Sequence, residues 1–247
     1  MASLKLACGD CSLHPVCLPR GIEPEEMAEL DRIIRQRRPL KRGEHLFRVG
    51  DPFESLYVVR SGSVKTYAPV SDGSEQITGF LLPGEMLGLD AISRGHHPCG
   101  ARTLETASVC EIPFEALEGL GGRIPALHHQ IYRLMSRELL QEEGHLLLLG
   151  RRGADERLAS YLLNFSDRLN RRGFSAHEFY LSMSRGDIGN YLGMAVETVS
   201  RTFTRFQERS LLTVERKHVY IHDREGLEAL AGGVALETAS PKVDRGQ

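Results

Sequence analysis

Apolar and polar positions change period several times along the chain. In "EPEEMAELDRIIRQRR" (23–38) apolar residues recur at helical spacing, with acids in the first turn and arginines in the last. The helix dipole favours that arrangement, so a short amphipathic helix is predicted there. From Pro39 to Pro113 the texture is different. Short β-rich runs ("HLFRV", "SLYVVR", "SVKTYAPV", "EQITGFLL") are separated by turn clusters ("VGD", "RSGS", "SDGS", "LPGE", "SRGHHP"). Strands at such close intervals predict a small antiparallel barrel or roll. Helical periodicity returns in "IPFEALEGL" (112–120) and in a much longer stretch over 123–149, which "GRRG" (150–153) interrupts. Residues 154–230 read as helix, helix, helix-turn-helix and a hairpin around "LLTVERKHVYIHD". Residues 231–247 have no period and are expected to fray.

The long helix carries two apolar stripes. His128, Tyr132, Met135, Leu139, Glu142 and Leu146 recur at spacings of 4, 3, 4, 3 and 4, a heptad seam suited to a second copy of the chain. Leu127, Ile131 and Leu134 form the other stripe, available to the chain's own roll. Glu142 places a carboxylate in the seam, where two would face each other across a dimer axis.

In "SRGDIGNYLGMAVETVSRTFTRFQE" (184–208), Ser184 and Asp187 have the spacing of a capping box. Ile188 and Leu192 face inward, and Gly193 permits a tight turn. A second helix from about Val196 has Val196, Val199 and Phe203 for its buried face, leaving Glu197, Ser200, Arg201 and Arg205 outward. Arg201 offers two donors to a guanine, Glu197 an acceptor to a cytosine amine, and Ser200 suits either base type. Leu212, Val214, Val219 and Ile221 alternate in the hairpin that follows, which completes a winged helix. The expected partner is double-stranded DNA, read by a two-fold dimer on a palindromic site.

Composition narrows this picture only slightly. Hydrophobic residues make up 41% of the 247 and charged residues 26%, as in globular proteins, with a net charge of −2. Residues 151–226 carry a balance of +3 and residues 1–150 a balance of −4, which permits a nucleic-acid partner without requiring one. No run of eighteen apolar residues exists, "MASLKLAC" is too short and polar for a signal peptide, and Lys5 does not suit a lipoprotein signal. A cytoplasmic protein with no membrane partner is expected. No Ser/His/Asp order, phosphate loop or paired carboxylates points to catalysis, and no thioredoxin-like context surrounds the C-x-x-C, so no enzyme is expected.

Three of the five cysteines, Cys8, Cys11 and Cys17, fall within ten residues. Three thiolates leave a tetrahedral site incomplete. Cys110, at the end of the predicted roll, is the better fourth ligand, because a strand end is fixed while the N-terminal tail can fold over it. Cys99 competes, with His96 and His97 beside it, but adjacent histidines in a turn read as a polar loop. Four such thiolates suit either zinc or an iron–sulfur cluster. One triplet with a remote fourth member favours the larger group, while a zinc- or thiol-based interaction module is the other reading.

The motifs "CGDC" with Cys17, "EQITGF", "SRGHHPC", "LETASVCEIPFE", "RLMSRE" and "RGDIGNYLGMAVETVSR" resemble those of FNR-type oxygen-sensing regulators in the cyclic-AMP-receptor-protein superfamily. The resemblance runs from about Cys8 to Ala231. It implies an oxygen-labile [4Fe-4S] cluster on Cys8, Cys11, Cys17 and Cys110, base reading by Glu197, Ser200 and Arg201, and a DNA-binding dimer in the cluster-bearing form. It also implies RNA polymerase contacts near Ser61, in 69–75 and in 167–179, although "PVSDGSE" diverges. Leu89 and Cys99–Gly100 stand where the superfamily's cyclic-nucleotide ligands would be, so cyclic AMP is not expected. His128, Tyr132 and Glu142 depart from the family seam. The expected architecture is α+β: a cysteine-rich segment (1–20), a cyclic-nucleotide-binding-like β-roll (21–122), a dimerisation helix (123–150), a winged helix-turn-helix (151–230) and a tail (231–247).

Overall fold

The strand Ser55–Ser61 (β3) is apolar on both sides, because it lies between two cores. Its alternate residues separate cleanly. Leu56 and Val58 join one cluster, while Tyr57 and Val59 join the other. In the computed structural model, which describes residues 7–232, β3 pairs with Met86–Leu87 (β6) on one side and Ser108–Pro113 (β8) on the other. Arg35–Gln36 (β1) closes that four-stranded sheet against β8. The second sheet runs in the order His45–Phe47 (β2), Gly100–Thr103 (β7), Val64–Pro69 (β4), Glu75–Leu81 (β5). Every pairing is antiparallel, as the turn-punctuated strands predict.

The first helix, Pro24–Ile33 (α1), is shorter than its sequence pattern suggests. The basic run after it is drawn into the sheet, where Gln36 stands opposite Cys110. Phe114–Gly121 (α2) follows β8 directly. The long helix is Pro125–Arg151 (α3). Leu127 is fully buried, and Ile131 and Leu134 pack on the cluster that holds Leu56, Ile112 and Leu117. The other stripe is exposed: Leu139 is 66% and Leu146 68% exposed, and Tyr132, Met135 and Glu142 are exposed too.

His97 corrects the expectation of a polar turn. It is 1% exposed, its ring stacks on Phe47 at 3.7 Å, and its Nδ1 has no hydrogen-bond partner among the described residues. His96 does stay exposed. Burial pushes the His97 imidazole below its ordinary value of 6.5, against the opposing pull of Asp90 and Asp51. The unfolded chain therefore takes up this proton more readily. Stability from His97 is present above pH 6.5 and lost as the pH falls from there through the lower folded value. Thermal melts at stepped pH are expected to show that loss, with a shallower slope in His97→Phe. An unchanged slope would move its origin to another group, such as His45, which burial also depresses.

The described residues form two compact units, 7–140 with 182–191, and 141–181 with 192–232. In the first, Arg185–Leu192 (α5) begins at the expected capping box. Ser184 N–H donates to Asp187 Oδ2 (2.9 Å), and Asp187 N–H donates to Ser184 Oγ (3.0 Å). Asp187 also accepts from Lys65 on β4 (2.6 Å), and the Asn190 amide bonds the β5 backbone at Ile77 N–H and the Glu75 carbonyl. In the second unit, Ala154–Asn170 (α4) supports Val196–Glu208 (α6) and the closing helix Arg224–Leu230 (α7), which the sequence pattern did not announce. One helix expected before the helix-turn-helix is instead the strand Glu178–Tyr180 (β9), recruited by the wing. The wing pairs Leu212–Glu215 (β10) with His218–Ile221 (β11), with Leu212 opposite Ile221 and Val214 opposite Val219. Of the expected tail, residues 233–247 lie outside the described residues.

Candidate functional site

Cys110 sits on β8 between Gln36 and Val58. Strand alternation turns Val109 into the core between the sheets and sends Cys110 and Ile112 to the helix side. The N-terminal segment folds over that same side. Leu18 (1% exposed) and Ile22 anchor it, and Cys8 and Cys17 pack on the cluster that Cys110 touches. Short 3-10 turns at Cys8–Asp10 and His14–Val16 compress the chain between the cysteines. Two residues without a sequence signal fix the segment. Asp31 on α1 accepts from the Cys8 N–H (2.8 Å), and buried Gln130 on α3 donates to the Cys17 carbonyl (3.4 Å). Both act across long sequence separations, so no local motif exposes them.

Cys8, Cys17 and Cys110 share one electrostatic environment. Burial raises Cys8, and the nearby Asp31 carboxylate, Cys17 and Cys110 raise it further. Burial pushes Cys17 up to about 12, with Cys110 and Cys11 adding to the rise. Cys110 is raised by burial, and Cys11 and Asp31 add to that while Arg60 opposes it. Three half-buried thiols that resist ionisation together are suited to a polycationic group, which offsets both the desolvation and the mutual repulsion of the thiolates. Among the described residues, no three His, Cys, Asp or Glu side chains converge closely enough to hold a metal ion. The ligands of a multi-iron cluster stand on different irons and are spread more widely than those of one tetrahedral ion. Cys99 lies apart, in the core between the sheets, where its Sγ donates to Asp90 Oδ2 (3.1 Å).

On α6, Val199, Thr202, Phe203 and Phe206 are buried. Val196 is 42% exposed rather than buried, because the first residue of the helix overhangs its support. Glu197, Ser200 and Arg201 point to solvent, and Glu197 and Arg201 make no ion pair among the described residues. The Ser200 hydroxyl donates to the Val196 carbonyl (2.9 Å), which leaves its lone pairs to accept from a base amine. Arg205 is also outward, but its guanidinium bonds Asp155 on α4 and Thr202 Oγ1, so it braces the helix.

A two-sheet roll, a long helix with an exposed apolar stripe and a winged helix-turn-helix with outward polar side chains define a DNA-binding transcription regulator. Residues 37–122 match the cyclic nucleotide-binding domain and residues 156–230 the Crp-like helix-turn-helix domain, and the chain belongs to the CRP/FNR family. It is 54% identical over 226 residues to the transcriptional activator protein Anr of Pseudomonas protegens, spanning 92% of this chain and 93% of that protein. It is 48% identical to the fumarate and nitrate reduction regulatory protein of Escherichia coli K12, spanning 91% and 90%. The solved structure of FixK2 from Bradyrhizobium japonicum superimposes with a TM-score of 0.74 at 32% identity, covering 80% of this chain and 97% of that one. These relatives are regulators, and the chain is not an enzyme. No helix among the described residues is long and apolar enough to cross a membrane.

Proposed function

We propose that this regulator senses oxygen through a [4Fe-4S] cluster held by Cys8, Cys11, Cys17 and Cys110, and binds palindromic DNA as a homodimer in the cytoplasm when oxygen is absent. The observation that carries this reading is the placement of the cysteines. The N-terminal segment and Cys110 meet on one core while Cys99 faces another. The relatives' names as fumarate and nitrate reduction regulators support it.

When bound, the cluster supplies an oxygen-labile bridge between the N-terminal segment and β8. The chain's own residues carry the state of that segment to α3. Gln130 holds the Cys17 carbonyl, and Leu127, Ile131 and Leu134 pack on the core that Leu18 and Ile22 enter. Displacing the segment therefore shifts the helix whose other face bears Tyr132, Met135, Leu139, Glu142 and Leu146. Those five residues form the dimer seam, which must lie within a few kcal/mol of balance for such a shift to act. Two α6 helices then stand about 34 Å apart, one turn of DNA. Surfaces near Ser61, in 69–75 and in 167–179 contact RNA polymerase. A cyclic nucleotide is not the expected ligand. Leu89 and Cys99–Gly100, which stand where the superfamily's ligands for it would be, offer no cation to a cyclic nucleotide's phosphate.

Iron and acid-labile sulfide analysis of protein prepared without oxygen tests this reading. Roughly equal iron and sulfide are expected. Zinc without sulfide would make the cysteines a structural or thiol-based module instead.

Glu197, Ser200 and Arg201 are the proposed base readers. Arg201→Ala is expected to cost about 1–3 kcal/mol and to relax preference at one guanine in each half-site. Binding to a panel of single-base variants checks this. Equal weakening on every sequence would make Arg201 a phosphate contact.

A further inference from the structure

Three segments of the second unit meet at one side chain. Arg157, in the first turn of α4, donates from Nη2 to the Leu149 carbonyl (2.8 Å) and from Nε to the Arg152 carbonyl (2.9 Å). Its Nη1 donates to the Leu192 carbonyl (2.9 Å) and the Gly193 carbonyl (3.3 Å). Leu149 lies in the last turn of α3, Leu192 ends α5, and Gly193 makes the turn toward α6 at a φ of +61°. A Cβ at Gly193 would stand 3.4 Å from Arg157 Nη1 and 3.6 Å from Leu149 Cδ2, so the turn and the end of α3 approach closely.

The last carbonyls of a helix lack intrahelical donors and carry the negative end of its dipole. Arg157 serves the ends of two helices at once. Only a planar fork with five donors satisfies carbonyls from separate segments in this way; an ammonium is a point. The position is also locally unfavourable, since a cation near the N-terminus of α4 opposes that helix's own dipole. Local helix stability therefore does not explain the arginine, whereas joining α3 to the turn does.

We propose that Arg157 is a positioning residue for DNA recognition. It sets the turn before α6 against the end of α3, and so fixes the separation of the two recognition helices in a dimer. This rests on the dimer reading above.

The test uses full-length protein prepared without oxygen and the palindromic duplex that wild type selects from random DNA. A second duplex carries one extra base pair between the half-sites. Wild type is expected to prefer the native spacing strongly. Arg157→Met removes charge-assisted hydrogen bonds to neutral carbonyls and is expected to lose about tenfold on the native duplex. It should also bind both spacings within about twofold of each other, the preference having collapsed with its joint. Arg157→Lys should fall between, because it keeps the charge but not the fork, and it supplies the same readout if the methionine variant does not fold. A residue with a merely structural role would lower thermal stability and leave the spacing ratio unchanged. Sedimentation on DNA separates the two readings. A dimeric variant with the wild-type spacing ratio overturns this inference alone, and a wild type that binds as a monomer overturns it together with the dimer.

Discussion

Cys110→Ser protein prepared without oxygen is expected to hold neither iron nor acid-labile sulfide, and Cys99→Ser to hold both at wild-type levels. Cys8→Ser, Cys11→Ser and Cys17→Ser should behave like Cys110→Ser. Serine is close in shape to cysteine, so β8 should keep its pairing of position 110 with Val58 and Gln36. What is lost is the soft thiolate, and clusters of this kind are held by four of them. Cys99 is excluded by its position rather than by its chemistry. Its thiol bonds Asp90 in the core between the sheets, on the far side of β8 from the N-terminal segment. Metal and sulfide content with the visible spectrum of each variant decides the matter. A colourless Cys99→Ser beside a brown Cys110→Ser would reverse the assignment of the fourth ligand.

Glu142→Ala is expected to dimerise and to bind DNA partly in air, without a cluster. Glu142 is exposed in the single chain and shares the heptad row of Tyr132, Met135, Leu139 and Leu146. Closing the seam brings two such carboxylates toward each other and takes them out of water. Repulsion and desolvation therefore both oppose the dimer. Alanine removes both penalties and has the best helix propensity, which keeps the helical conformation favoured at this position. A relief of only about 1.4 kcal/mol would raise the dimerisation constant tenfold, enough to matter for an equilibrium poised near balance. Sedimentation of the aerobic, metal-free variant is the measurement. A variant as monomeric as wild type would show that this carboxylate does not hold the seam open. The gate would then lie in the packing of Leu127, Ile131 and Leu134 on the core of the roll.

Local pattern alone determined much of this protein. Period-2 runs between glycine-rich turns are enough to specify antiparallel strands, and the Ser184–Asp187 box and Gly193 punctuate the helix-turn-helix because capping and left-handed turns are decided within a few residues. The two stripes of α3 were legible for the same reason, since helical periodicity assigns faces before any partner is present. Tertiary structure decided the features in which distant segments compete for one place. Arg35–Gln36 left its helix because β8 offered an edge, and β9 replaced an expected helix because the wing needed a third strand. His97 looked like a turn residue, yet the Phe47 ring and the fold of the loop buried it. The cysteine spacing indicated a thiolate site and left its fourth member to choose between two candidates. Only the fold showed that Cys110, by the alternation of β8, faces the core the N-terminal segment packs on, while Cys99 lies in the core between the sheets. Asp31, Gln130 and Arg157 were invisible to pattern because each acts on a backbone group supplied by another segment, and such a partner exists only once the chain has folded.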